Sequence, residues 1–220
     1  MAREKMVSTG KCSLCGGTFA KAAMSSHLKS CRKKQAAAEK PKRAAVFHLL
    51  VEGRYQPEYW MHLEVPANAT LDTLDRFLRD IWLECCGHMS EFQIQGTRYT
   101  VEPMGMDDEG MDVKLKDVLA PKKTFFHAYD FGSTTHLKLR VVSEYETELA
   151  GKKVRLLARN EPPVIPCGRC GRPAVRVCMD CSYSEEGWLC EACAGEHKCG
   201  EEMLLPIPNS PRAGVCGYTG

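Results

Sequence analysis

The stretch CGRCGRPAVRVCMDCSYSEEGWLCEACAGEHKC, residues 167–199, carries eight cysteine and histidine side chains in four close pairs. These pairs are Cys167/Cys170, Cys178/Cys181, Cys190/Cys193 and His197/Cys199. Since a tetrahedral zinc ion takes four ligands, the eight side chains predict two zinc sites. A set of redox-active dithiols is the alternative, but it does not account for four pairs.

The spacing of the pairs predicts how they combine. Seven residues separate the first pair from the second, whereas a sequential zinc ribbon usually places about 15–20 residues between its pairs. Joining the first pair to the third leaves nineteen residues between them, and joining the second to the fourth leaves fifteen. The spacing therefore predicts a cross-braced two-zinc module, which we assign to residues 164–220 together with an extended tail.

The surroundings of these ligands indicate a protein-binding role. The ligand spacing is loosely similar to that of B-box, MYND and ZZ-type zinc folds, which mostly bind protein or peptide. Glutamates of this region would repel DNA, so we expect a protein partner here. Cys216, in the closing PNSPRAGVCGYTG, either replaces Cys199 or His197 as a ligand or is a free thiol.

A second zinc pattern lies near the N-terminus, over residues 10–33. Cys12-x2-Cys15 is followed, after eleven residues, by His27-x3-Cys31. Residues four apart share one face of a helix, so the His and the Cys can reach the same ion. The pattern resembles a Cys-Cys-His-Cys zinc finger, and it raises the expected number of zinc ions to three. So small a domain should take its folding energy from zinc.

The charge of the chain is distributed unevenly. Residues 1–43 contain eleven Lys and Arg against two Glu and carry +9, so the rest carries −7, since the whole chain carries +2. A basic segment indicates a polyanion partner, and a solvated, solubilising arm is the alternative. The candidate nucleic-acid-binding residues are Lys21, Lys29, Arg32, Lys33 and Lys34. The basic linker 34–43 reads as a frayed helical extension or a flexible tether.

Apolar runs, the N-terminal segment and the cysteine content indicate the cellular compartment of the protein. The 220 residues contain no run of 18 apolar residues, so we expect no membrane span. The N-terminal MAREKMVSTGKC lacks the apolar core of a signal peptide, and we expect a cytoplasmic protein. Thiols stay reduced in the cytosol, which favours metal ligands over disulfides for the 13 cysteines.

The central segment, residues 44–161, has an α+β pattern. Strands are expected at 45–51 and 59–65, and in the second, apolar and polar residues alternate as in a half-buried strand. A helix should begin after Thr70 and end near Gly87. Further strands and a short helix are expected at 91–95, 98–102, 112–119, 124–131, 136–142 and 153–158. The order of elements predicts a β-grasp-like sheet around one main helix, flanked by the small finger and the cross-braced module.

Four segments of this domain carry a family resemblance. They are Trp60-x4-Val65-Pro66, His88-Met89-x-Glu91-Phe92-x-Ile94-x-Gly96-x2-Tyr99, Val113-x-Leu115-x-Asp117-Val118-Leu119 and Tyr129-Asp130-Phe131-Gly132. In this order they resemble the plasmid Ri open-reading-frame-three-like family over residues 44–148. The resemblance implies an accessory protein of a plasmid or mobile element, and it supplies no mechanism. The family usually has an acidic residue and Trp where this chain has Ser133-Thr134-Thr135, and a second His at Ser90.

Catalysis is a further hypothesis for the Tyr129-Asp130-Phe131-Gly132 segment. A carboxylate such as Asp130 and a histidine such as His136 can exchange protons where they meet in a cleft. The alternative is a structural turn in which Asp130 accepts backbone N–H bonds and Phe131 is packed. The sequence shows no nucleophile–base pair, so we expect a protein without catalytic activity. Cys85 and Cys86, at the end of the main helix, are expected to be buried thiols.

Together these observations predict a three-zinc accessory protein. Its basic finger contacts nucleic acid, and its C-terminal module contacts a protein. The alternatives are a purely protein-binding adaptor with structural zinc sites and, third, an enzyme that uses Asp130 and His136.

Overall fold

A computed structural model of the chain describes residues 8–35, 44–147 and 153–220. The predicted basic linker lies outside the described residues from residue 36 onward. Within the described ranges, no helix combines the length and the apolar character that a membrane crossing requires.

The largest feature of these ranges is a ten-stranded sheet. Its strands are β1 (Thr9–Cys12), β2 (Thr18–Ala20), β3 (Ala44–Gly53), β4 (Trp60–Pro66), β5 (Ser90–Ile94), β6 (Thr97–Thr100), β7 (Asp108–Gly110), β8 (Thr124–Tyr129), β9 (Thr135–Thr147) and β10 (Arg155–Asn160). Their order across the sheet is β2-β1-β10-β4-β3-β9-β8-β5-β6-β7. Neighbouring strands are antiparallel, except that β6 and β7 are parallel. Mixed α/β content with one dominant sheet is therefore confirmed.

The main helix packs on one face of this sheet. Helix α2 (Leu71–Leu78) begins at Thr70, whose side chain accepts a hydrogen bond from the N–H of Thr73 at 3.2 Å. A single π-helical turn, Arg79–Leu83, follows it directly. Buried Leu, Trp and Phe side chains of the helix, the turn and the strands form the principal core. Helix α3 (Leu115–Val118) is one short turn beside it.

The N-terminal finger covers the opposite face. Its strand β1 pairs with β10, and its helix α1 (Lys21–Gln35) buries Met24 and Leu28 in a cluster with Trp60 of β4. Strand β4 is consequently buried along both faces, including His62 and Glu64. The expectation of a half-buried strand was wrong, because the alternation of residues does not reveal that a second element covers the polar face.

The C-terminal module is a smaller unit with its own three-stranded sheet. Its strands are β11 (Arg176–Cys178), β12 (Trp188–Leu189) and β13 (Leu204–Pro206), and its helix is α4 (Glu191–Gly195). The tail that follows returns to the central domain, where Ser210 and Arg212 are buried. The module is thus joined to the central domain both through β10 and through the tail.

Candidate metal centres

The finger brings Cys12, Cys15, His27 and Cys31 into one group, whose potential ligand atoms all lie within 4.8 Å of one another. Two thiols come from the end of β1 and the turn after it, and the other two side chains come from successive turns of α1. The Cys15 Sγ–His27 Nε2 distance is 3.4 Å. Ligands at tetrahedral angles around zinc lie about 3.6–3.8 Å apart, so this group fits the ion.

The C-terminal module holds two further groups. The first contains Cys167, Cys170, Cys190 and Cys193, with 3.5 Å between the Sγ atoms of Cys170 and Cys190. The first and third sequence pairs therefore meet. Helix α4 presents Cys193 toward the knuckle formed by Cys167 and Cys170.

The second group of the module contains Cys178, Cys181, His197 and Cys199. The Sγ atoms of Cys181 and Cys199 are 3.6 Å apart. The Nε2 atom of His197 is buried, and among the described residues it has no hydrogen-bond partner. A bound metal ion is one partner that would satisfy such a nitrogen.

Two thiols of the module, those of Cys167 and Cys181, have strongly altered acidities. Burial raises the pKa of Cys167, but hydrogen bonds from backbone N–H groups lower it more, to about 6. In contrast, the neighbouring thiols of Cys199 and Cys178 raise the pKa of Cys181 to about 12. Close thiolates repel one another, and a divalent cation removes this repulsion. Both effects suit residues that bind metal as thiolates.

A fourth group was missed by the sequence reasoning. Cys85, Cys86, His88 and Cys216 also place their potential ligand atoms within 4.8 Å of one another. Cys86 and Cys216 are exposed, and Cys85 is half-buried, so the expectation that Cys85 and Cys86 are buried thiols was wrong. Cys216 belongs to neither module group. The compact run Cys85-Cys86-Gly87-His88 could have indicated a metal site in the sequence. No sequence spacing links this run to Cys216.

Residues 44–169 match the family model described as plasmid pRiA4b ORF-3-like protein. The chain belongs to the plasmid pRiA4b ORF-3-like family. A comparison with curated proteins finds no match. Among solved structures, a protein of unknown function from Methanosarcina mazei Go1 is similar, with 22% sequence identity and a TM-score of 0.47. That similarity covers 52% of this chain and 68% of the other chain.

The Tyr-Asp-Phe-Gly segment of the plasmid pRiA4b ORF-3-like domain forms a tight turn. Asp130 has a φ of 66°, in the left-handed region, and its Oδ1 accepts hydrogen bonds from the N–H groups of Gly132 and Ser133 at 3.0 and 3.2 Å. Its Oδ2 lies 2.7 Å from Arg212. Burial raises the pKa of Asp130, but the Arg212 guanidinium and the two N–H groups lower it below its usual value. Phe131, expected to be packed, is 51% exposed.

This arrangement bears directly on the catalytic hypothesis. The Asp130 carboxylate is occupied by Arg212 and the turn, and the nearest histidine contact is with His88, at 3.6 Å. His136 instead contacts the ring of Tyr55. The geometry therefore favours a structural carboxylate over an acid–base pair with His136.

The basic residues of the finger divide into two sets. Lys21 forms an ion pair with Glu52 at 2.5 Å, and Arg32 contacts buried Glu64 and the ring of Tyr145. Lys29 and Lys33 are exposed on the other side of α1, and Lys34 belongs to the last turn of that helix. Lys21 and Arg32 are thus engaged within the chain, which leaves the exposed lysines for an external anion.

Proposed function

We propose that this plasmid pRiA4b ORF-3-like protein is a zinc-binding, non-catalytic accessory protein of a plasmid or mobile element. Cytoplasmic location and a β-grasp-like central domain are parts of this proposal. Three of the Cys/His groups fit zinc, because they hold four thiolates, or three thiolates and one imidazole, with near-tetrahedral spacing. An ion at each would fold the finger and the module and would leave no open coordination position for chemistry.

The nucleic-acid part of the proposal rests on the exposed face of helix α1. The helix contains five cationic residues and no acidic residue. Its exposed positions combine Lys29 and Lys33 with small residues such as Ala22, Ala23 and Ser26. Lysines bind phosphate, whereas alanine and serine offer little to read base edges. We therefore propose contact with the phosphate backbone with little sequence preference.

The packing of the finger on the sheet leaves the lysine-bearing face of α1 exposed. The face of α1 that carries Met24 and Leu28 packs against Trp60, so the lysine-bearing face is the one that remains available. The finger thus presents a fixed cationic surface instead of a recognition helix that can turn freely into a groove. A fixed surface suits an extended polyanion lying across the helix.

Fluorescence anisotropy with labelled DNA and RNA across a salt series tests this proposal. The double variant Lys29→Ala/Lys33→Ala should weaken binding and reduce the slope of log affinity against log salt by about two, one for each lost phosphate contact. The matched control Lys116→Ala/Lys122→Ala removes two exposed lysines of the central domain and should leave binding unchanged. Equal binding by the wild type and the finger variant would favour the purely protein-binding adaptor.

The protein-partner part of the proposal rests on a groove beside the module. An open groove of about 710 Å³ lies between residues 55–59 and the module. Its lining includes Tyr55 and Tyr183, which are 72% and 85% exposed, together with Glu58 and Glu185. Exposed aromatic residues are typical of protein interfaces, and the two glutamates favour a basic peptide segment of the partner. A labelled arginine-rich peptide should lose affinity with Tyr183→Ser/Glu185→Gln, and unchanged affinity would contradict this assignment.

A further inference from the structure

The fourth Cys/His group joins two distant parts of the chain. Cys85, Cys86 and His88 follow the π-helical turn, whereas Cys216 lies in the C-terminal tail. The His88 Nε2 atom is 2.9 Å from Cys86 Sγ and 3.5 Å from Cys216 Sγ. The Sγ atoms of Cys85 and Cys86 are 3.5 Å apart, and those of Cys86 and Cys216 are 3.7 Å apart. The three separations of 3.5–3.7 Å are close to the ~3.6–3.8 Å expected between ligands of one tetrahedral zinc ion, whereas the 2.9 Å between Cys86 and His88 is shorter.

Contacts of the tail place Cys216 at this position. Ser210 donates a hydrogen bond to the carbonyl oxygen of Trp82 at 2.6 Å, and the Trp82 indole N–H donates to the carbonyl oxygen of Asn209 at 3.1 Å. Trp82 lies in the turn that leads to Cys85. The tail is thereby anchored beside the first three side chains of the group.

Arg212 ties the same group to the Tyr-Asp-Phe-Gly turn. Its fully buried guanidinium donates to Asp130 Oδ2 at 2.7 Å and to Cys85 Sγ at 3.3 Å. It also donates to Thr135 Oγ1 at 3.0 Å. A cation beside Cys85 stabilises a thiolate there. Hydrogen bonds to a ligating sulfur are a common way of orienting a metal ligand.

Two further observations favour a metal ion over free thiols. The four groups together include all thirteen cysteines of the chain, so this group takes the three thiols that the other groups leave. Cys216 also adopts a φ of 51°, in the left-handed region that non-glycine residues seldom occupy. Such a backbone conformation persists where surrounding contacts hold it, often at a ligand site.

We propose that Cys85, Cys86, His88 and Cys216 bind a fourth zinc ion, which fixes the C-terminal tail to the central domain. Three thiolates and one imidazole form a closed tetrahedral site of the structural kind. The ion would hold Arg212 against Asp130 and would fix the C-terminal module at its second attachment to the sheet. This inference is independent of any nucleic-acid binding by the finger.

Metal counting by native mass spectrometry tests the site. We expect four zinc ions per wild-type chain and three in Cys216→Ser, because the serine hydroxyl is a poor zinc ligand. The control Thr219→Ala changes an exposed residue of the same tail and should keep four. Amide exchange at Ala213 and Val215, whose N–H groups bond within the tail, should rise by about tenfold or more in Cys216→Ser. Four ions in Cys216→Ser, or three in the wild type, would overturn the proposal.

Thiol alkylation of the zinc-loaded wild type provides a test that needs no variant. Cys86 and Cys216 are exposed, so an alkylating reagent can reach both thiols when no ion holds them. We expect both to be protected until a chelator is added, and then to react together with Cys85. Rapid alkylation before chelation would refute the site. So would a Cys86–Cys216 disulfide, which would appear in the intact mass as the loss of two hydrogens.

Discussion

Acid should destabilise this protein through a pair of buried histidines. His48 on β3 and His62 on β4 are 1% and 0% exposed, and the His48 Nε2–His62 Nδ1 distance is 2.8 Å. Burial, and then the charges of His62, Arg32 and Arg140, lower the pKa of His48 to about 2. Burial, and then Arg140, Arg32 and Lys21, lower the pKa of His62 to about 3.

The sign of the effect follows from proton binding. Both histidines are neutral in the folded protein at pH 5, whereas an unfolded histidine with a pKa near 6.5 is mostly protonated there. Because the unfolded state binds more protons, stability is full above pH ~6.5 and falls as the pH decreases from there toward the folded pKa values. Each histidine lowers the free energy of unfolding by about 1.4 kcal/mol for every pH unit below pH ~6.5. The pair therefore lowers it by about 4 kcal/mol between pH 8 and pH 5.

The matched variant is His48→Gln/His62→Asn. Gln and Asn place amide groups near the positions of His48 Nε2 and His62 Nδ1, so the hydrogen bond can persist without a titrating group. Urea unfolding at pH 8 and pH 5, in saturating zinc, gives the free energy of unfolding of both proteins. Any loss of metal at low pH affects both, so their difference isolates the histidines.

Between pH 8 and pH 5, the free energy of unfolding of His48→Gln/His62→Asn should fall by about 4 kcal/mol less than that of the wild type. A control, His136→Gln, removes a half-buried histidine whose pKa burial and Arg54 lower less strongly, so it should stay close to the wild type. If His48→Gln/His62→Asn and the wild type lose the same stability, the buried histidines are already charged or solvated at low pH. Burial would then not keep these two histidines neutral in the folded protein.

Two further changes test the packing of the tail and of the main helix. Arg212→Met should lower the free energy of unfolding by about 3–5 kcal/mol, because it leaves the buried Asp130 carboxylate without its cation. In urea unfolding, Asp130→Asn/Arg212→Met should recover part of this loss, and a single-variant loss below about 1 kcal/mol would contradict a buried pair. Thr70→Ala should cost about 1 kcal/mol by removing the cap of α2, whereas Thr70→Ser retains the hydroxyl and should cost less. Thermal unfolding that ranks the two Thr70 variants equally would contradict the capping role.

Local spacing was sufficient to find the ligand sets whose members are close in sequence. His27 and Cys31 are four residues apart on α1, and helix geometry alone puts them on one face. The interleaved pairs of the module likewise follow from the lengths of the segments between them. Cys216 is different, because it lies 130 positions after Cys86 and only the docking of the tail brings the two thiols together. No periodicity or spacing rule carries that information.

The same limit explains which basic residues were misleading. The sequence alone does not distinguish the basic residues of helix α1 from one another. In the structure, however, Lys21 faces Glu52 and Arg32 faces Glu64 of the sheet. Glutamates in β3 and β4 carry no local sequence signal that a finger helix covers them. The acidic partners turn two apparent phosphate ligands into internal ion pairs and leave one face of α1 cationic. Charge counted over residues 1–43 therefore overstates the surface available to a polyanion by two cations, Lys21 and Arg32, and the expected salt dependence is correspondingly weaker.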